Sequence, residues 1–171
     1  MRSVTLLVVI TIGLPLLVAS CDGTSEPQAS GTGTMAALID GTPWQGKLSE
    51  SGSYHTAEQN LYVNYHEPDA VTPNTHRTIT LSLRPVSGVG TVALGRMPDS
   101  SYATLHVHSY PDGHWRLDQY FTLDSAGWAT TTEFNLTTGQ FAGTFAFVAV
   151  AGSDTVHVTD GTWTAELDVV N

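Results

Sequence analysis

The residues with the clearest potential for chemistry in this 171-residue chain are His106 and His108. They lie in YATLHVHSY (102–110), where polar and apolar residues alternate, and this period of two predicts a strand. Side chains two positions apart on a strand point to the same face, so both imidazoles could bind one metal ion. Leu105 and Val107 would then occupy the core face. The two histidines are therefore expected on the solvent face, where a metal-dependent activity is one hypothesis for function.

The neighbours of this pair depend on the turn after the strand. If Pro-Asp-Gly (111–113) forms a hairpin turn, residue 110 pairs with residue 114. His106 would then lie opposite Asp118, whose carboxylate would assist metal binding. His108 would lie opposite Arg116, whose positive charge would hinder it.

The remaining polar side chains form no recognisable catalytic motif. The chain has no Gly-x-Ser-x-Gly, no His-Glu-x-x-His, no phosphate-binding glycine loop and no calcium loop. Glu67, beside His66, is interpreted as part of a polar loop. The other five histidines are spread over separate segments, at positions 55, 66, 76, 114 and 157. We therefore predict no catalytic residue, no cofactor, no metal ligand set and a non-enzymatic protein.

Residues 1–20 have the pattern of an export signal peptide. Arg2 precedes an apolar run over 4–19, which is short for a bilayer span of about 20 residues. The run ends at Cys21, the only cysteine, so an internal disulfide is excluded.

The stretch Val18-Ala19-Ser20-Cys21 resembles the lipobox of bacterial lipoproteins. The resemblance implies that the signal is cut before Cys21, that its sulfur receives a diacylglycerol group and that its amino group is acylated, with palmitate as an expected chain. Two or more acyl chains make membrane anchoring stable. The expected location is the bacterial cell envelope, where the lipid anchor at Cys21 attaches the protein to a membrane and the chain faces the periplasm or the exterior. The inner and the outer membrane both stay open.

The composition after Cys21 indicates a tether and then one acidic domain. Residues 22–33, DGTSEPQASGTG, have linker composition, so that 21–33 forms a tether that spans on the order of 20 Å. The net charge of −10 repels phosphate backbones, and nucleic acid is therefore not an expected partner. Residues 34–171 have the length of a single domain.

The domain over 34–171 is predicted to be all-β. Segments such as RTITLSLR (77–84) alternate strictly, and turn sequences rich in Gly, Asp and Pro separate the alternating runs. Short turns join antiparallel neighbours, which predicts a meander in the C-terminal half. The architecture is a single antiparallel β-sandwich or a lipocalin-like β-barrel of about 8–11 strands.

Two similar sequences lie near the ends of this domain, IDGTPW (39–44) and VTDGTW (158–163). In each, the Asp-Gly pair is interpreted as a hairpin turn, because both residues tolerate a left-handed backbone. The nearby tryptophans, Trp44 and Trp163, are expected to point into the core.

Three segments of the domain together resemble a family of uncharacterised bacterial lipoproteins: MAALIDGTPWQG (35–46), FAGTFAFVA (141–149) and VHVTDGTW (156–163). The resemblance implies a secreted, lipid-anchored β-fold and brings no catalytic residue with it. Lipocalins carry Gly-x-Trp on their first strand, whereas this chain has Gly-x-x-Trp there.

These observations leave three hypotheses for function. The first is a lipid-anchored envelope protein that acts as a non-enzymatic binding or structural module and contacts an envelope component. The second is a lipocalin-like carrier of small apolar ligands, which requires a hollow interior. The third is the metal-dependent activity at His106 and His108.

Overall fold

The computed structural model describes residues 31–49, 51–68, 75–97, 100–110 and 114–171. They form eleven strands: β1 (Thr32–Ile39), β2 (Thr42–Leu48), β3 (Ser53–His55), β4 (Asn60–His66), β5 (Thr75–Leu83), β6 (Gly90–Leu94), β7 (Tyr102–Ser109), β8 (Arg116–Asn135), β9 (Gln140–Ala151), β10 (Asp154–Glu166) and β11 (Val169–Val170). Within these described ranges, no helix has the length and hydrophobicity needed to cross a bilayer. Strand β1 begins two residues before the predicted domain boundary at residue 34.

Eight strands close into an antiparallel barrel. The order around it is β1, β2, β4, β5, β7, β8, β9 and β10, and β10 pairs with β1. Each barrel strand therefore lies beside the next barrel strand of the chain, as short connections favour. Strands β3, β6 and β11 lie outside this ring, on β4, β8 and β3 respectively. The all-β prediction is confirmed, and of its two architectures the structure has the barrel.

Large apolar side chains fill the interior of the barrel. An eight-stranded barrel is just wide enough for its own side chains or for one small ligand. Here the inward positions of the barrel strands carry fully buried rings and aliphatic groups: Met35, Trp44, Leu61, Tyr65, Ile79, Leu81, Leu105, Phe141, Phe145 and Trp163. Their packing makes the interior an apolar core, stabilised by removal of apolar surface from water.

Glycines create the space that the largest rings occupy. Trp163 pairs with Gly143 across β10 and β9, and a Cβ added to Gly143 would lie 2.6 Å from the indole Nε1 of Trp163. Gly46 stands in the same relation to the ring of Trp44, and Gly161 to the ring of Phe145. Alternation of small and large inward residues lets bulky rings fit a narrow barrel.

The two Asp-Gly pairs have different structures. Asp40 and Gly41 both have positive φ and connect β1 to β2, as the predicted hairpin requires. Asp160 also has positive φ, but it lies within β10, where the pairing with β9 shifts between Val158 and Gly161. The second hairpin was therefore a wrong prediction, since this pair forms a β-bulge. Both tryptophans are buried, as predicted.

The sequence Asp-Ser-Ala-Gly (124–127), one of the turn sequences that were predicted to separate strands, is also an irregularity inside a strand. Strand β8 continues through it, and the pairing with β9 shifts between Thr122 and Gly127. Before this point β8 pairs with β7, and after it β8 pairs with β6. The C-terminal half is a meander as predicted, but its strands are fewer and longer than the turn sequences suggested.

Candidate functional site

His106 and His108 lie on the outer face of β7 and are half-buried. Their inward neighbour Leu105 is buried in the core, so the predicted faces of this strand are correct. The predicted cross-strand partners are wrong, because Ser109 pairs with Arg116 and the register differs by one residue.

This one-residue difference changes which side chains face the two histidines. His106 lies opposite Gln119 and His108 opposite Leu117. Asp118 and Arg116 occupy the alternate face of β8, where the Arg116 Nε donates a hydrogen bond to the Asp118 carboxylate at 3.1 Å. Neither charge therefore lies directly across from the histidine pair.

Two further histidines come from other strands to the same outer face. His76 of β5 is directly opposite His108, and Thr78 of β5 is directly opposite His106. Thr78 also pairs with His66 of β4. The barrel thus brings four histidines from three strands to one face. Strand alternation alone does not reveal this, because it does not specify which strands pair.

These histidines do not form a metal centre in the structure. Among the described residues, no three or more His, Cys, Asp or Glu side chains converge in an arrangement that could hold a metal ion. Binding a metal at His106 and His108 would need a third ligand from outside this set.

An exposed aromatic pair lies just beyond the last pairing of β7 with β8. The rings of Tyr110 and Trp115 are 5.0 Å apart between centroids, and Trp115 is 71% exposed. Leu117, the next outward residue of β8, is also exposed. Trp115 and Leu117 therefore present neighbouring apolar side chains to solvent on the same side of the chain. These residues were not predicted from the sequence, because no motif or spacing singles them out.

We call this surface the outer aromatic–histidine face. It consists of one set of residues on four neighbouring strands: His66, His76, His106, His108, Tyr110, Trp115, Leu117 and Gln119. Tyr110 is four residues beyond His106, so the face is about 13 Å long in the direction of β7 at the usual rise of a strand. It continues into a groove of about 250 Å³ between Tyr62, Tyr102 and Phe121, beside Met97.

Burial lowers the pKa of His106, and the neighbouring imidazole of His108 lowers it further. The charged form of His106 is therefore disfavoured in the folded protein. At neutral pH its ring is uncharged and presents one donor and one acceptor nitrogen.

Glu67 follows the last residue of β4, where the polar loop was predicted to begin, but its side chain is buried. This side chain is 2% exposed and lies on the inner face of the barrel, two residues after the buried Tyr65. The Arg77 guanidinium donates two hydrogen bonds to this carboxylate in a bidentate ion pair. Its Nη2 is 2.9 Å from Oε1, and its Nε is 3.3 Å from Oε2. This buried ion pair joins the end of β4 to the start of β5, close to His66 and His76.

The signal peptide and the lipidated residue Cys21 lie outside the described residues. The direction of β1 nevertheless shows where a tether would join the domain. Strands β1 and β7 run in the same direction around the barrel, so the first residue of β1 and the last residue of β7 lie at opposite ends. The Tyr110–Trp115 pair is therefore at the end far from the N-terminus of the barrel.

Comparison with known proteins adds no assignment to this geometry. No protein family model, no curated protein and no solved structure matched the chain.

Proposed function

We propose that this protein is a lipid-anchored, non-enzymatic binding module of the bacterial cell envelope, and that its outer aromatic–histidine face binds a carbohydrate polymer of the envelope. The observation that carries the proposal is the exposed Tyr110–Trp115 pair, on the same hairpin as His106, His108 and Gln119. Flat aromatic rings give large contact area at low entropic cost, and they can stack on the apolar face of a sugar. The polar side chains beside them can donate and accept hydrogen bonds with hydroxyl groups.

Two further observations support this surface, rather than the barrel interior, as the binding site. The interior is occupied by buried side chains such as Tyr65 and Trp163, whereas a carrier of apolar molecules needs empty apolar space. The aromatic pair also lies at the barrel end opposite the start of β1, where the predicted tether joins. A polymer beyond the anchoring membrane would meet that end first.

Replacing Trp115 tests the binding surface. With hydroxyethyl cellulose as a soluble, uncharged glycan, the wild-type protein should show binding by isothermal titration calorimetry. Trp115→Ala should weaken that binding by about tenfold or more, as expected for loss of a central aromatic contact.

Trp128→Ala is the matched control, because Trp128 is also exposed but lies on the part of β8 that pairs with β6. It should bind like the wild type. Equal binding by the Trp115→Ala variant would refute this surface. Binding of lipid vesicles but of no glycan would refute the partner class.

Mass spectrometry of the protein extracted from the membranes of a lipoprotein-processing bacterium tests the proposed anchor. The wild-type chain should begin at Cys21 and carry the added mass of a diacylglycerol group, since the lipobox resemblance implies both steps. Cys21→Ser should lack the acyl mass and retain residues 1–20, because a hydroxyl does not form the thioether. An unacylated wild-type chain would contradict the anchor.

A further inference from the structure

The outer side of the first half of β8 is mainly apolar. Its outward residues are Leu117, Gln119, Phe121 and Leu123, and we call this row the β8 stripe. Leu117 is 46% exposed and Leu123 is 42% exposed. An antiparallel sheet with one face in water usually carries polar residues on that face. The β8 stripe reverses this pattern and is therefore a surface that a ligand could cover.

The hydrogen bonds of Thr122 explain why these apolar residues point outward. The Thr122 side chain is 3% exposed, and its hydroxyl donates a hydrogen bond to the backbone carbonyl of Ala103. The backbone N–H of Ala103 donates to the same hydroxyl oxygen at 2.9 Å. Because side chains alternate along a strand, Phe121 and Leu123 lie on the opposite side from Thr122. The exposure of the β8 stripe thus follows from the pairing of β8 with β7.

Two grooves lie along the β8 stripe and meet at Phe121 and Met97. The first is the groove of about 250 Å³ that continues the outer aromatic–histidine face. The second has about 410 Å³ and extends past Leu123. Arg96 and Asp124 both line the second groove, so it carries charges of both signs and selects neither an anion nor a cation.

The β8 stripe also continues the surface of the Tyr110–Trp115 pair. Leu123 is six positions after Leu117, so the stripe is about 20 Å long at the usual rise of a strand. Trp115 is two positions before Leu117 and extends the apolar surface at that end. A surface that is long and only one strand wide fits an extended chain better than a compact ligand.

We infer that the glycan bound by this protein is linear and extended, and that it lies lengthwise along the β8 stripe from the Tyr110–Trp115 pair to Leu123. This inference rests on the proposed function and names the shape class of the glycan. An extended glycan presents a series of apolar ring faces, which can contact Trp115 at one end and Phe121 further along. The hydroxyl groups at the ring edges can form hydrogen bonds with the Gln119 amide. A coiled glycan cannot contact both ends of the stripe at once.

Glucose oligomers of two linkages test the inference by isothermal titration calorimetry. Cellotriose and cellohexaose are extended, with three and six glucose units, whereas maltotriose and maltohexaose contain the same units in a coiled chain. Cellohexaose should bind about tenfold more tightly than cellotriose, the factor expected for one further aromatic contact. Maltohexaose should bind no more tightly than maltotriose.

A matched pair of leucine variants locates the extra contact. Leu123→Ala should lower the ratio of cellohexaose affinity to cellotriose affinity, and Phe121→Ala should lower it further because a ring is lost. Leu136→Ala should keep the wild-type ratio, since Leu136 is 43% exposed but lies in the turn between β8 and β9. Circular dichroism establishes that each variant is folded.

The outcomes separate the inference from the proposed function. Binding of hydroxyethyl cellulose without a gain from cellotriose to cellohexaose would overturn the inference and leave the proposed function standing. An equal gain for the maltose series, or an equal ratio in Leu123→Ala and Leu136→Ala, would also overturn the inference. Sedimentation that shows a dimer for the wild type and a monomer for Phe121→Ala would assign the stripe to a second copy of the chain instead. Failure to bind any of these glycans would overturn both.

Discussion

Replacement of Trp163 by alanine is expected to lower the free energy of unfolding by about 3–5 kcal/mol, the range for truncation of a buried aromatic side chain. The ring is 1% exposed and packs over Gly143 inside the barrel. Among the described residues its indole Nε1 has no hydrogen-bond partner, so the loss comes from packing and from the cavity left behind. Urea-induced unfolding measures the change as a lower midpoint.

Two other substitutions serve as comparisons for the loss of stability in Trp163→Ala. Trp163→Phe keeps a ring over Gly143 and loses no hydrogen bond, so its cost should be clearly smaller. Trp128→Ala truncates a tryptophan that is 43% exposed and should cost under about 1.5 kcal/mol, since only part of its apolar area is buried. Equal midpoints for Trp163→Ala and Trp128→Ala would contradict the filled interior.

Replacement of Arg77 by methionine is expected to cost about 3 kcal/mol, because it leaves the Glu67 carboxylate buried without its partner. Glu67 is 2% exposed and Arg77 is 19% exposed. Glu67→Gln should therefore cost less, since the guanidinium that remains can reach water. The free energies of unfolding of both single variants and of the double variant form a double-mutant cycle.

The double variant Glu67→Gln/Arg77→Met should recover most of the stability lost in Arg77→Met, because an uncompensated buried charge no longer exists. Arg116→Met is the matched control. It breaks the exposed ion pair with Asp118 and should cost less than about 1 kcal/mol. If Arg77→Met and Arg116→Met cost the same, burial does not govern the strength of the Glu67 pair.

The fold was largely predictable because its signals are local. Alternation assigned the core face of β7 correctly, with Leu105 buried. The two Asp-Gly pairs were less informative about where strands end. Asp40 begins a hairpin turn and Asp160 a bulge, although both precede glycine and then threonine. The difference lies in the strand pairing around each residue, since β10 continues along both β1 and β9 whereas β1 must reverse at its end.

The candidate site was only partly predictable. The common face of His106 and His108 is a consequence of their spacing on one strand. Their neighbours are not, because a change of one residue in the turn between β7 and β8 exchanges Asp118 for Gln119 opposite His106. The contribution of His66 and His76 depends on β5 lying between β4 and β7, which is a property of the closed barrel.

By itself the sequence determined the all-β class, the inward tryptophans and the outward histidine pair, since each depends on the two-residue period of a single strand. Tertiary structure alone decided that the sheet closes, that large buried side chains occupy its interior and that histidines of three strands meet on one outer face. Closure and register depend on pairing between strands, and the energies that select a pairing are summed over contacts between residues far apart in the chain.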